Sequence, residues 1–519
     1  MNKVFKKSVA VLCALITLIG MVALPASAAT TSDNDLPTVY LVGAGGKVYD
    51  KNGKKVWPVR SIETILKENS SELVSSFAAC LMSSDWAAYG DTINAIIGKY
   101  FEGCKLDKNG NPINGTYIKK SAKPAVKKSG YGLMDYEFKF DPRLDPWETA
   151  EELSAYIDAV LKATGKKKVN LVGRCLGACY ISAYLCRYGC SKIDNAIYLA
   201  SAAKGSTVAS EVFSGKLDFN SDAINNYATD YMEDDEISEL LSGIVNVTYS
   251  LNMLGFGTDF VTEIFEELSK ESFPEILLTA FAGMPSYWAM VSVEHYEDAK
   301  NFIFGPKGSE KRKEYATFIK KIDNYHNKVK VPLDSKLKQF KKSGMKIEII
   351  AKYNTPFIPI IESHSVQGDA KISLKDISFG ATGAEIGKTL SASYINSVKD
   401  KGKAKYISED LIVDASTCLF PDYTWFIRDL GHSSTPTALN KLLIRILKNK
   451  YQSTVTSFKE YPQYTSFNFD TRKLDPITEP ISNATGTTQT GGIFNIVNLF
   501  SAMIKIMRNF FTILFNGDV

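Results

Sequence analysis

A cysteine lies between two glycines where an apolar segment gives way to a helical pattern. The strand-like run Val169 to Val172 is followed by Gly173-Arg174-Cys175-Leu176-Gly177 and then by the helix. This is the arrangement of a G-x-S-x-G nucleophile elbow, with cysteine in the place of serine. Because free N–H groups and the dipole at a helix N-terminus stabilise a thiolate, Cys175 is predicted to attack an acyl carbon and form a thioester.

Three further cysteines follow Cys175 at helical spacing. Cys179, Cys186 and Cys190 lie 4, 11 and 15 residues beyond it. All four thiols therefore share one face of one helix, which is typical of small side chains packed in a core. Ligands strung along a helical face cannot converge on one tetrahedral zinc ion, so no metal site is predicted. We expect packing roles for the three later cysteines and a nucleophile at Cys175.

A thiol nucleophile needs a base and an acid that orients it. One known order of such triads is nucleophile, acid and then a histidine on a loop before the last helix. Among four histidines, His432 meets both conditions and His364 is the alternative. Asp410 lies upstream of His432 and is predicted to orient the imidazole and stabilise its charged form. Asp414 and Asp422 compete with Asp410, and spacing does not choose among the three.

The elements that must position these residues read as an α/β pattern. An amphipathic helix from Trp147 to Thr164 precedes the strand before Cys175, and a continuous apolar strand, Asn195 to Ala200, follows the elbow helix. A further strand, Met345 to Ala351, and a last helix, Leu439 to Leu447, come later. Strand, helix and strand form a βαβ unit, whose ligand crevice lies at the carboxyl ends of the strands.

The chain divides into six predicted segments. A basic start, an apolar middle and Ala26-Ser27-Ala28 make residues 1–28 a secretory signal peptide, so the protein is expected to be secreted or associated with the cell surface. Helices rich in apolar residues are predicted to form a cap over the pocket, with an ordinary helical subdomain as the alternative. The other segments are core 36–206, cap 207–340, core 341–460, linker 475–492 and amphipathic helix 493–516.

The balance of charge excludes nucleic acid as a partner and leaves other classes of partner open. Three of the 61 lysines and arginines lie in residues 1–28, which leaves 58 basic against 57 acidic side chains. This balance provides no field for nucleic acid. The C-terminal helix, residues 493–516, is interrupted by polar residues too often to span a membrane. It is predicted to contact a membrane surface, a partner or the protein itself.

Five stretches of the chain resemble one family, the α/β-hydrolases of the lecithin:cholesterol acyltransferase and lipase type, in a secreted bacterial branch. The doubly wound, mostly parallel sheet of that family, with an inserted helical cap, is the fold that the resemblance implies. The stretches are PTVYLVGAGG (Pro37 to Gly46), DPRLDPWETAEELSAYIDAVLKATGKKKVNLVGRCLGA (Asp141 to Ala178), IYLASAAKGS (Ile197 to Ser206), MPSYWAMV (Met284 to Val291) and EDLIVDASTCLFPDYTWFIRDLGH (Glu409 to His432).

The resemblance implies roles for particular residues. It gives Cys175 as nucleophile, His432 as base, and the backbone N–H groups of Leu176 and Ala44 as the oxyanion hole. Asp410 takes the place of the acid in the family's G-D-G-T-V-P segment, although both glycines of that segment are missing here. Polyhydroxyalkanoate synthases and dienelactone hydrolases share the fold with an elbow cysteine, so the exchange of serine for cysteine is compatible with catalysis.

The sequence therefore predicts a secreted enzyme that acts on an ester, thioester or lipid-like acyl substrate through Cys175, His432 and Asp410, without a cofactor. Hydrolysis and acyl transfer both remain open, because a thioester passes its acyl group readily to acceptors other than water. A second hypothesis is an inactive hydrolase scaffold that binds a membrane or cell surface through the C-terminal helix.

Overall fold

A computed structural model of the chain describes residues 35–480, except 45, 61, 128–129, 218–266, 268–269, 271 and 359–360. The predicted signal peptide and C-terminal helix lie outside the described residues. So do much of the predicted cap and most of the predicted linker.

The centre of the described structure is a sheet of eight strands. The strands of the described chain are β1 Thr38–Leu41, β2 Val48–Tyr49, β3 Lys55–Trp57, β4 Tyr117–Ile118, β5 Tyr136–Glu137, β6 Val169–Cys175, β7 Ile193–Ser201, β8 Lys346–Tyr353, β9 Thr382–Gly383, β10 Val413–Asp414, β11 Thr424–Arg428, β12 Tyr464–Asn468 and β13 Lys473–Pro476. The order in the central sheet is β13-β12-β11-β8-β7-β6-β1-β5. Neighbouring strands of this sheet are parallel throughout, except for the antiparallel pair β12 and β13 at one edge.

Apolar side chains cover both faces of this sheet. In β1, Val39 and Leu41 join one hydrophobic core while Tyr40, between them, joins the other. Side chains alternate between the faces of a strand, so a sheet with two buried faces needs apolar residues at nearly every position. Helices Pro146–Thr164 and Leu176–Tyr188 contribute to the first core, and helix Thr437–Lys448 contributes to the second. The predicted doubly wound α/β fold is confirmed.

The helix before the elbow strand begins and ends where its sequence signals lie. The carboxylate of Asp145 accepts a hydrogen bond from the N–H of Trp147, and Pro146 occupies the first turn. The helix ends at Gly165, which adopts a φ of 68° that glycine tolerates without strain. The predicted bounds, Trp147 to Thr164, are therefore correct to within one residue.

The sheet continues beyond the predicted end of the core at residue 460. Strands β12 and β13 form a hairpin on the edge of β11, and Phe467 and Leu474 from that hairpin pack in the second core. Because β13 ends at Pro476, the predicted linker of residues 475–492 begins too early. The prediction missed these strands because they are only 5 and 4 residues long and are only partly buried.

The described part of the predicted cap, residues 207–340, is helical and contains no strand. Among the described residues, no helix is both long and apolar enough to cross a membrane. The remaining α-helices of the described chain are Ile62–Glu68, Ser70–Ser83, Trp86–Phe101, Thr207–Phe213, Phe273–Leu277, Pro285–Trp288, Tyr296–Phe304, Glu310–Glu314, Ala316–Tyr325, Leu333–Lys342, Leu374–Ile377 and Ala392–Asp400, with π-helical turns at Leu278–Ala282 and His326–Lys330.

Candidate active site

Cys175 lies at the junction of β6 and the helix Leu176–Tyr188. Its backbone has φ 51° and ψ −122°, a conformation that non-glycine residues rarely adopt. Such a conformation costs roughly 1–3 kcal/mol and persists only where the surroundings enforce it. The sharp turn places the thiol at the carboxyl edge of the sheet, at the N-terminus of the helix. This is the geometry of a nucleophile elbow.

The two glycines that flank Cys175 allow close approaches around the turn. A Cβ on Gly173 would lie 2.6 Å from Ile181 Cδ1 and 2.8 Å from the Cα of Ala178. A Cβ on Gly177 would lie 2.4 Å from the carbonyl oxygen of Leu41. Neither glycine has a positive φ, so their backbone conformation does not require glycine. Both are needed because the elbow helix packs too closely against its neighbours to leave room for a side chain.

Replacing Gly177 with alanine is expected to destabilise the fold by about 1–3 kcal/mol, because the added methyl group must displace the backbone of β1. The free energy of unfolding in urea measures this loss. Gly98→Ala is the matched control: its Cβ would meet only Thr279 Cγ2, at an ordinary 3.7 Å, within a helix that favours alanine. Equal stability of the two variants would contradict the packing role of Gly177.

His432 is held by a buried carboxylate. Its Nδ1 lies 2.7 Å from Oδ2 of Asp369, and its backbone N–H donates to the carbonyl oxygen of Asp369 at 3.0 Å. Both side chains are buried. In the described part of the chain, Nε2 makes no hydrogen bond. The imidazole and the Cys175 thiol line the same cavity, and the negative charge of the thiolate favours the protonated imidazole. The three side chains thus form a Cys-His-Asp series at one edge of the sheet.

The charges of this series support one another. Burial raises the pKa of Cys175, but the positive charges of His432, Lys371 and Arg174 outweigh it and lower the pKa to about 7. Burial lowers the pKa of His432, but Asp369 and the Cys175 thiolate outweigh it, so the pKa is raised above its ordinary value. A thiolate and an imidazolium therefore stabilise each other near neutral pH.

Asp410 is not the partner of His432, so the prediction for the acid is corrected. Oδ2 of Asp410 accepts hydrogen bonds from the Tyr353 hydroxyl at 2.7 Å and from Arg428 Nη1 at 3.2 Å. Oδ1 accepts from the Ser408 hydroxyl. Asp410 is predicted as the acid because of its position in a segment that resembles G-D-G-T-V-P. In the structure its carboxylate belongs to a separate buried network.

The two alternatives for the acid also make other contacts. Asp414 accepts a hydrogen bond from the Tyr394 hydroxyl at 2.9 Å and caps a short helical turn at Ser416. Asp422 accepts from the Tyr406 hydroxyl at 2.9 Å. Neither carboxylate makes a hydrogen bond to His432, so the carboxylate that pairs with this histidine lies outside the whole set predicted from spacing.

Asp369, which is absent from the residues predicted from the sequence, is positioned by strand order. Asp369 follows β8 and His432 follows β11, and these strands are parallel neighbours, so both residues arrive at the same sheet edge. Oδ1 of Asp369 accepts the N–H of Ile372 at 2.9 Å, which fixes the carboxylate. A sequence signal existed: Gly368-Asp369 resembles the first two residues of the G-D-G-T-V-P segment, and Asp369 lies between Cys175 and His432 in sequence.

Cys175 and His432 line a cavity of about 40 Å³. This volume has room for about one to a few water molecules. Most of the other lining residues are apolar, and no acidic side chain lines the cavity among the described residues. These other residues are Ala44, Ser206, Val208, Ala209, Tyr287, Met290, Lys371 and Ile372.

The two predicted oxyanion donors lie beside Cys175. Ala44 lines the cavity, and its loop is fixed by a hydrogen bond from Trp57 Nε1 to its carbonyl oxygen at 3.3 Å. Leu176 is the first residue of the elbow helix, where backbone N–H groups lack intrahelical partners. Gly43 lets the Ala44 loop approach, because a Cβ there would already lie 3.2 Å from the Cβ of Cys175. Their role in catalysis stays a prediction.

The remaining histidines have other surroundings. His364, the alternative base, has its Nδ1 3.1 Å from the carbonyl oxygen of Ile361. His295 Nδ1 lies 2.9 Å from the Ser292 hydroxyl. His326 stacks on Tyr296, with ring centroids 3.7 Å apart. Of the four histidines, His432 is the one that shares the Cys175 cavity.

The other cysteines of the elbow helix differ from Cys175 in their surroundings. Cys179 is buried, and its Sγ lies 3.5 Å from the carbonyl oxygen of Ala202. Burial raises the pKa of Cys179 to about 11 and that of Cys186 to about 11. Cys190 is partly buried and packs against the first core. The thiols of Cys179 and Cys186 are therefore protonated at neutral pH.

Comparisons with known proteins place the chain only loosely. No family model matches it. No curated protein matches it either. Among solved structures, the crystal structure of the Tle4-Tli4 complex is similar to it, with 12% sequence identity over 61% of this chain and 75% of that chain, at a TM-score of 0.23. A likeness at this TM-score carries no information on activity, and the likeness to the lecithin:cholesterol acyltransferase family stays a prediction.

Proposed function

We propose that the protein is an acyl-transferring enzyme, a hydrolase or acyltransferase, with Cys175 as nucleophile, His432 as base and Asp369 as the orienting acid. The observation that carries this proposal is the 2.7 Å contact between His432 Nδ1 and Asp369 beside a thiol whose pKa is lowered to about 7. Burying the ion pair of His432 and Asp369 costs free energy of folding, and a cysteine that served only in packing would not need such a pair beside it.

The reaction divides into two steps. The Cys175 thiolate attacks the acyl carbon, and the N–H groups of Leu176 and Ala44 stabilise the oxyanion that forms. As the carbon–oxygen or carbon–sulfur bond to the leaving group breaks, the His432 imidazolium gives that group its proton. In the second step His432 takes a proton from water or another acceptor, which attacks the thioester and releases Cys175.

The walls of the cavity are mostly apolar, so they favour an apolar acyl group over an acyl group with polar substituents. Val208, Ala209, Met290 and Ile372 surround the nucleophile with apolar surface. An ester or thioester with a short apolar acyl group meets this surface without leaving polar groups unpaired. Val208 and Met290 come from the predicted cap, so we also propose that this region covers the pocket.

The proposal is tested by trapping the acyl intermediate. Purified protein is incubated with p-nitrophenyl acetate and p-nitrophenyl butyrate, whose short acyl groups suit the small cavity. We expect a burst of nitrophenolate and a mass increase of one acyl group, which peptide mapping locates at Cys175. Acylation at Cys179 or Cys418, or none at any concentration, would reject the assignment.

The ionisation of Cys175 gives an independent prediction. Its rate of alkylation by iodoacetamide is expected to rise with a midpoint near pH 7. In His432→Asn the midpoint should move upward by about one pH unit or more, because the largest positive influence on the thiolate is lost. Peptide mapping separates Cys175 from the other thiols. A wild-type midpoint near 9 would show that His432 does not activate the cysteine.

Secretion is part of the proposal and rests on the pattern of residues 1–28 alone. Export from the cell, with a mature N-terminus after Ala28, is the corresponding expectation. N-terminal sequencing of the exported protein tests it.

A further inference from the structure

A lysine is buried directly behind His432. Lys352 lies near the carboxyl end of β8 and is fully buried. Its Nζ donates hydrogen bonds to the carbonyl oxygens of Gly431 at 3.2 Å, His432 at 2.7 Å and Ser434 at 2.6 Å. An ammonium group has three N–H donors, and this loop offers an acceptor for each of them.

The three acceptors belong to the loop that carries the imidazole. One is the carbonyl oxygen of His432 itself, and the others lie one residue before it and two residues after it. Burying an ammonium group is costly unless it is fully hydrogen-bonded, so Lys352 must keep these contacts. A loop tied at residues 431, 432 and 434 cannot shift without breaking them. The backbone of His432 is fixed at its carbonyl by Lys352 and at its N–H by the carbonyl oxygen of Asp369.

Lys352 also contributes to the charge of the site. The charged groups that act on it are Asp369, from the loop after β8, and Arg174 and Cys175, from the end of β6. Burial lowers the pKa of Lys352, whereas the negative charges of Asp369 and Cys175 favour its charged form. In turn, Lys352 helps to hold the pKa of Asp369 below its ordinary value.

We propose that Lys352 is a positioning residue of the active site, which orients His432 between Asp369 and Cys175 and adds positive charge behind the triad. This inference rests on the proposed function of Cys175 and His432. Lys352 touches neither the cavity nor a substrate within it, so it acts through the histidine loop.

The test compares Lys352→Met with Lys346→Met. Lys346 lies on the same strand and also donates to the carbonyls of a loop, at Asn449 and Lys450, but at the opposite end of β8. Both variants are expected to lose stability. Only Lys352→Met should lower kcat for p-nitrophenyl acetate, by about 10- to 100-fold with little change in KM, since a displaced base loses rate rather than binding.

Two further readouts separate positioning from a merely structural role. In Lys352→Met the midpoint of Cys175 alkylation should move upward by about half a pH unit, because a positive charge near the thiolate is lost. Lys352→Arg, which keeps the charge and the donors, should recover most of kcat and the wild-type midpoint. It also decides the matter if Lys352→Met fails to fold.

Three results would overturn the inference. They are unchanged kcat and midpoint in folded Lys352→Met, equal losses in Lys346→Met, and a folded Lys352→Arg as inactive as His432→Asn. Failure of the proposed function looks different, because the wild-type protein itself would then show no acylation of Cys175.

Discussion

Cys175→Ala is expected to lower the hydrolysis of p-nitrophenyl butyrate by at least about 10³-fold and to abolish the covalent acyl adduct. Removing the nucleophile of a triad leaves only the modest rate enhancement of binding and oxyanion stabilisation. The thiol is also the group on which the local charges act, with its pKa lowered to about 7 by His432, Lys371 and Arg174 against the effect of burial. Steady-state kinetics and intact-protein mass spectrometry measure both losses.

Cys179→Ala is the matched control for this variant. Cys179 lies one helical turn away on the same helix, but burial raises its pKa to about 11 and its thiol contacts the carbonyl oxygen of Ala202. Activity should remain within about threefold of wild type, while stability falls by roughly 1 kcal/mol for the lost packing. If Cys175→Ala kept its activity while Cys179→Ala lost it, the nucleophile would be assigned wrongly.

Cys175→Ser provides a second control. Serine fits the elbow and is the usual residue of that motif, but its hydroxyl stays protonated at neutral pH. Alkylation by iodoacetamide should disappear from residue 175, and acylation should slow by roughly 10² or more. A serine variant as fast as wild type would show that the thiolate state of Cys175 is not what drives the reaction.

The elbow could be predicted from the sequence because it is built from local constraints. Gly173 and Gly177 are required by atoms of the adjoining helix and of β1, and the strand and the helix around them are buried almost throughout, as their apolar sequence indicates. His432 could be predicted for a similar reason, since its loop directly precedes an amphipathic helix, Thr437–Lys448. The adjacency of β6 and β7 follows from such a βαβ unit.

The carboxylate partner of His432 could not be predicted in the same way. Asp369 lies sixteen residues beyond the end of β8, in a stretch with little regular structure. It meets His432 only because β8 and β11 are adjacent strands, a pairing between residues far apart in the sequence. Asp410 lies closer to His432 along the chain, yet its carboxylate turns to Tyr353 and Arg428. Chain proximity therefore misled the interpretation where strand adjacency decides.

The described site combines one carboxylate with several positive charges. Asp369 raises the pKa of His432, and His432 in turn lowers the pKa of Cys175. Lys352 fixes the same loop and offsets the negative charge of Asp369. The thiolate at Cys175 is thus stabilised by an arrangement in which the acid acts through the imidazole, so removing the acid should raise the pKa of the thiol as well as slow the reaction.

Asp369→Asn is therefore expected to lower kcat by about 10³- to 10⁴-fold, with KM nearly unchanged. An asparagine keeps the size of the side chain but can favour the wrong tautomer of His432 and cannot stabilise its charged form. The midpoint of Cys175 alkylation should move upward, because a less basic imidazole is less often positively charged. Kinetics with p-nitrophenyl butyrate and iodoacetamide labelling across pH measure the two effects.

Asp410→Asn distinguishes the two candidate acids. Asp410 is fully buried and binds Tyr353 and Arg428, so its substitution should destabilise the fold by roughly 1–3 kcal/mol. Because Asp410 does not contact His432, the folded variant should keep kcat within a few-fold and the wild-type alkylation midpoint. The reverse outcome, an active Asp369→Asn and an inactive but folded Asp410→Asn, would mean that the acid changes partner during the reaction and would reject the Cys175-His432-Asp369 series.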